Sequence, residues 1–316
     1  MRCRIGHRLL CVLFTLFLLA AVAQADELEN ALIQAALAGD ITEVNSLLDA
    51  GVNVNARNEV GKTALMYAAE EGHNEVVSVL ISRGAYVDAQ TNWGCTALQF
   101  AAESGWDPVV GQLIDRLADI SITTRQGEDA LIMAARAGKA GAIKRLIAAG
   151  ADVTTKERHG RTALMVAVGE GYDKAVINLL AGGSDPNETD LHGATALMLA
   201  SIGGHVEVVR ALVAGGADTE QADDTGSTAL FWAAELGRGA VLDALLQAGS
   251  KVNASNNEGW TALFEAALGG RVAAVEILLA AGADTAVEDT AGLTPADYAR
   301  QRGHADVERL ILQAKQ

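Results

Sequence analysis

Apolar positions along the chain keep a helical spacing that is interrupted on a fixed schedule. From Gly61 the chain reads GKTALMYAAEEGHNEVVSVLISRGAYVDAQTNW. Leu65, Ala68 and Ala69 recur as one helix face, and Val76, Val77, Leu80 and Ile81 do so again beyond Gly72. Residues three and four apart lie on the same side of a 3.6-residue turn, so the pattern predicts two short amphipathic helices. Gly72 would close the first and Gly84 the second, where the chain must turn sharply. The remainder, GAYVDAQTNW, has the composition of an extended hairpin.

The same pattern returns every 33 residues, from Gly94, Gly127, Gly160, Gly193, Gly226, Gly259 and Gly292, with no insertion or deletion. A fixed period of this length marks a repeat architecture. Thr63 is placed to cap the first helix, and the equivalent positions are Asn30, Thr96, Asp129, Thr162, Thr195, Thr228, Thr261 and Thr294. All are residue types whose side chain can accept from an orphan backbone N–H. Small residues at Ala35, Ala68, Ala101, Ala134, Ala167, Ala200, Ala233, Ala266 and Ala299 would let neighbouring helices approach closely. Two helices of this length cannot bury their apolar faces alone, but stacked neighbours can. The expectation is an all-α repeat solenoid of about nine helix-turn-helix units, each with a hairpin loop. The units start near residues 28, 61, 94, 127, 160, 193, 226, 259 and 292 and form one domain over 26–316.

The segments TALMYAAEEGHNEVVSVLISRGAYVD and TALMLASIGGHVEVVRALVAGGAD closely resemble the repeat of the ankyrin family. Most units read T-A-L-M or T-A-L-F where that family favours T-P-L-H; proline stands at the site only as Pro295. The resemblance implies units of a β-turn and two helices, and a concave surface of hairpin tips and inner helix faces that binds other proteins. It also implies that His73, His205 and His304 stabilise their loops. Trp106 stands at the same site. Asn187 and Asn253, which begin N-x-S/T triplets, fall where the family usually has asparagine, as does Asn55, so a structural role is expected of them.

Residues 1–25 lie outside the repeat. Arg2, Arg4 and Arg8 precede an apolar run over Leu9–Ala21, and Ala23-Gln24-Ala25 gives a small-x-small cleavage pattern before Asp26. That combination predicts a secretory signal peptide, with no membrane insertion after its removal. Cleavage would remove three arginines and no acids, taking the formal charge from −16 to −19. Such a balance argues against nucleic acid, which requires Lys/Arg patches. It suits a basic partner, or simply solubility. Cys95 would be the single cysteine of the mature chain, leaving no internal disulfide.

Positions that vary between units are those free to specify a ligand. Trp93 and Trp260 fall at hairpin tips, and Trp232 falls on a first helix where other units carry Tyr67, Phe100 and Met133. Three of the four tryptophans thus sit at variable positions in a chain with only 4 % aromatic residues. Such side chains dominate interface energetics when they anchor in a partner's pocket, although they can equally fill gaps over neighbouring units. Between these clusters, Lys156, Arg158, His159 and Arg161 form an island of positive charge. Tyr67, Trp93, Phe100, Met133, Arg158, Arg161, Trp232 and Trp260 are therefore the candidate partner-binding residues. Leu117 replaces a glycine found in seven other units, which predicts a distorted or mobile hairpin.

No catalytic, cofactor or metal site is expected. His159 and His192 share a repeat position but lack converging ligands, and Cys95 has no recognisable base nearby. The expected molecule is a non-catalytic protein-binding scaffold, monomeric alone, exported to the periplasm or secreted. An inhibitor or immunity protein covering one periplasmic enzyme or toxin is the alternative.

Overall fold

A computed structural model of the protein describes residues 24–314; most of the leader read in residues 1–25 therefore lies outside the described residues. Eighteen helices form among the described residues, with no strand and only four isolated β-bridges, such as Arg57 to Thr63. The all-α repeat solenoid is thus the observed architecture. The chain divides into two compact units that part after Arg125.

In the first unit, the first helices of successive repeats, Ala64–Glu71 and Ala97–Ser104, pack side by side. The second helix Asn74–Ser82 packs between Ile41–Asp49 and Asp107–Asp115. In the second unit the first helices Ala130–Arg136, Ala163–Gly169, Ala196–Gly203, Ala229–Glu235, Ala262–Leu268 and Pro295–Arg302 form one row. The second helices, from Ala140–Ala148 to Ala305–Ala314, form another. Leucines at the start of the first helices, such as Leu65, Leu164 and Leu263, are 2 % exposed or less. Each contributes about 2–3 kcal/mol of burial. Ala68 and its seven later equivalents are fully buried, so the close approach that small side chains permit is realised.

Capping follows the sequence in six of the nine repeats. Thr63, Thr96, Asp129, Thr162, Thr195 and Thr294 each accept a bond from the backbone N–H three residues on. Thr96 forms a complete box, since its own N–H donates to Gln99 Oε1 at 2.7 Å. Thr228 and Thr261 sit at the cap without a side-chain bond, and Thr261 Oγ1 is buried and unpartnered. Asn30 does not cap at all. The helix that contains it already spans residues 24–38, so Asn30 lies inside it and not at its start.

Three devices repeat between neighbouring units. Backbone bonds tie successive hairpin tips, as in Arg125 N to Trp93 O (3.0 Å) and Asn257 N to Thr225 O (3.0 Å). A hairpin asparagine clamps the following hairpin: Asn187 Nδ2 donates to Gly216 O (3.1 Å) while its Oδ1 accepts from Asp218 N (2.7 Å). Asn55 and Asn253 bond in the same way, so these amides are structural. The third device joins the start of a second helix to the end of the preceding unit's first helix. His73 Nε2 lies 2.9 Å from Leu37 O, and Trp106 Nε1 donates to Glu70 O at 2.7 Å. Arg238, Arg271 and His304 make the equivalent bond, so Trp106 works as His73 and His304 do.

Leu117 does not distort its hairpin. It adopts φ 62°, the left-handed conformation the glycines take elsewhere, with its side chain 87 % exposed. Leu117 N still reaches Ile114 O (2.9 Å) and Ala118 N reaches Leu113 O (3.0 Å), as Gly84 and Ala85 do one repeat earlier. The surrounding bonds hold the turn and the leucine absorbs the strain.

Candidate partner-binding surface

The glycine that opens each repeat has positive φ and separates two very different positions. The residue before it sits at the hairpin tip. The residue after it turns back over the first helix, against the aromatic-rich fourth position of that helix. The first unit shows the arrangement filled. Lys62 is 9 % exposed, and its Nζ lies 4.2 Å from the Tyr67 ring centroid and 4.1 Å from that of Phe100. Glu70 pairs with the ammonium, and Asn58 Nδ2 donates to the Tyr67 hydroxyl at 3.0 Å. Tyr67 and Phe100 are therefore half-buried walls around an internal lysine, which already occupies one face of each.

Trp93 is the candidate that stands clear. It is 62 % exposed at a tip, with the Arg125 guanidinium 5.9 Å from its ring centroid. Its backbone is pinned on both sides, N–H to Thr91 Oγ1 (3.3 Å) and C=O from Arg125 N. Trp260, expected at a tip, follows its glycine and so turns inward. It stacks on Phe264 (centroids 5.7 Å, planes 19° apart) and lies 4.8 Å from the Tyr298 ring. Met133 is 6 % exposed and presents no surface to a partner. Having no polar tip to hold in water, its apolar chain folds into the core, where the thioether fits irregular gaps.

The positive island is mostly neutralised from within. Lys156 Nζ lies 2.7 Å from Glu188, His159 Nδ1 2.9 Å from Glu157, and Arg161 Nε 3.5 Å from Asp190. Arg158 is exposed. These nearby carboxylates remove most of the positive field that the linear run of cations suggests. Cys95 is half-buried rather than fully exposed, and burial holds its thiol above the ordinary range, against a lesser opposing bond from Thr91. That is the wrong direction for a nucleophilic thiolate. Among the described residues no group of three or more His, Cys, Asp or Glu side chains is arranged to hold a metal ion. No helix among them is long and apolar enough to cross a membrane.

Trp232 lies in the second unit, half-buried, with its Nε1 donating to Asp223 Oδ2 at 2.8 Å and its ring edge-on to Phe231 (6.1 Å, 80°). It lines an open groove of about 430 Å³ together with Ser227, Glu235, Glu258 and Glu265. Burial, then repulsion from Glu235 and Glu258, pushes the Glu265 carboxyl up to about 7. None of the influences on Glu265 is a nearby cation. This acid was not singled out in the sequence. The signal was present: Glu265 is the one acidic residue at a position held elsewhere by Tyr67, Phe100, Met133, Val166, Leu199, Trp232 and Tyr298.

Repeat length, paired helices, linked tips and buried alanines all describe one architecture. The family model for ankyrin repeats, in sets of three copies, matches residues 14–91, 32–124, 98–190, 164–256 and 240–316. The chain is an ankyrin-repeat protein. No curated protein matches it. Ankyrin repeats mediate protein–protein interactions and in general serve as non-catalytic scaffolds, which points to a protein-binding role for this ankyrin-repeat protein.

Proposed function

We propose that this ankyrin-repeat protein is an exported, non-catalytic scaffold that docks another protein in the cell envelope through its concave surface. One observation carries the reading: Trp93 is an indole 62 % exposed to water, yet held on a backbone pinned at both its N–H and its C=O. A bulky apolar group on a fixed backbone leaves no backbone freedom to be lost on binding, and it gains the burial of the surface it now exposes. Trp232, half-buried on the wall of an open groove, offers a second contact. The mature chain's net charge of −19, that is −16 less the three leader arginines, would speed encounter with a basic partner. Residues 1–25 supply the export route and predict a periplasmic or secreted mature chain starting at Asp26.

The test has two arms. Cells making the full chain are fractionated, and the N-terminus of the product is read; recovery in the cytoplasm with residues 1–25 intact would refute export. Envelope proteins cross-linked to the wild type are then compared with those cross-linked to Trp93→Ala, with Trp260→Ala as a control whose indole packs internally. Loss of one specific cross-link in Trp93→Ala alone supports the proposed surface, and an unchanged set in every variant refutes it.

A further inference from the structure

The chain contains a template for what the groove at Trp232 should hold. In the repeat that begins at Gly61, the slot between two first helices is walled by Tyr67 and Phe100, floored by Glu70 and filled by the Lys62 ammonium. Five repeats later, in register, the same positions are Trp232, Glu265, Glu235 and Ser227. The aromatic wall and the carboxylate are kept, and a second carboxylate replaces the other ring. What changes is the occupant. Ser227 is too short to fill the slot, and its hydroxyl turns away to the Thr225 side chain at 2.9 Å. The result is the open groove of about 430 Å³, with Glu258 on its rim.

We infer that this groove receives a lysine or arginine side chain from the partner protein, seated against Trp232 between Glu235 and Glu265. The inference rests on the scaffold reading above and adds the chemistry of the contact. Charge complementarity carries it. A cation over an indole, close to the half-buried Glu265 and its acidic neighbours, gains both from the ring quadrupole and from relieving like-charge repulsion. Repulsion contributes there: burial first, and then Glu235 and Glu258, push Glu265 up to about 7. An apolar side chain would leave those carboxylates uncompensated, and an acidic one would be repelled. A bare divalent ion fits less well, because no metal-holding group forms among the described residues.

The experiment follows the Trp232 indole N–H resonance, whose bond to Asp223 gives a reporter inside the site. The full chain is titrated with end-blocked Gly-Gly-Lys-Gly-Gly and Gly-Gly-Arg-Gly-Gly, and with the neutral acetyl-lysine and citrulline counterparts. A saturable shift is expected with a charged peptide, with affinity about tenfold weaker for its neutral counterpart, as for a lost charge contact on an aromatic wall. Glu265→Gln should weaken charged binding about tenfold. Ser227→Lys should abolish it by supplying the internal occupant, as Lys62 does. Its folding is checked by circular dichroism, and Glu265→Gln stands in if it fails to fold. Equal shifts from charged and neutral peptides, no saturable shift at all, or undiminished binding to folded Ser227→Lys would each overturn the inference. Such failure with the Trp93-dependent cross-link intact would remove the slot and leave the scaffold reading standing.

Discussion

Replacing Leu117 by glycine should raise stability even though the change deletes a large apolar side chain. Leu117 holds φ 62°, where an L-residue crowds its own Cβ against the backbone at a cost of about 1–2 kcal/mol. With the side chain 87 % exposed, almost no burial is lost on removing it. The two turn bonds, Leu117 N to Ile114 O and Ala118 N to Leu113 O, involve only backbone and survive the change. Against the relieved strain stands the extra freedom glycine gives the unfolded chain, about 0.4–1 kcal/mol. The difference is a stabilisation of roughly 0.5–1 kcal/mol, or a urea midpoint higher by about 0.2–0.3 M at a slope of about 3 kcal/mol/M. Urea unfolding followed by circular dichroism measures it, with Leu117→Ala as the control. Alanine keeps the Cβ, and hence the strain, so its midpoint should stay near wild type. If Leu117→Ala gained as much as Leu117→Gly, exposed hydrophobicity and not backbone strain would be the cause. A lower midpoint for Leu117→Gly would refute the argument outright.

Other substitutions probe the devices that join the repeats. Gly72→Ala should destabilise by about 2–3 kcal/mol, because φ is 79° and an added Cβ would fall 2.3 Å from the Trp106 ring. Combining it with Trp106→Ala should cost less than the sum of the two, as a double-mutant cycle of urea midpoints would show. Lys62→Ala should cost about 1–3 kcal/mol by stranding Glu70 beside two uncapped rings, with thermal unfolding as the measure. The Glu265 carboxyl sits near 7 in the folded chain against an ordinary 4.5, so the native state binds the extra proton between those values. Its contribution is therefore fully present below about pH 4.5 and is lost as pH rises through 7. Glu265→Gln should remove that slope and gain of order 1 kcal/mol over wild type at pH 8, after allowance for solvent screening. Equal pH profiles for the two proteins would contradict it.

Much of this was legible before any coordinates, and the departures have local causes. The caps at Thr63 and Asp129 were readable because a cap depends on residues within one turn. Asn30 failed as a cap because the helix that contains it begins several residues earlier. The cationic run near Arg161 looked free because Asp190, which answers it, stands 29 positions along the chain. Trp93 and Trp260 read alike as tip residues; one precedes its glycine and the other follows it, and the left-handed turn between those positions sends one into water and the other onto Phe264.

By itself the sequence determined the period, the helix pairs and the turns, because these depend on side-chain spacing and glycine conformation within one 33-residue unit. Only the tertiary structure decided which outward residues are available. The environment of each is completed by the next or preceding repeat: Phe100 closes over Lys62, Glu70 O receives the Trp106 indole, and Glu265 faces Trp232 across an unfilled slot. Burial and charge are sums over neighbours in space, and stacking brings together side chains that lie about one repeat apart in the chain.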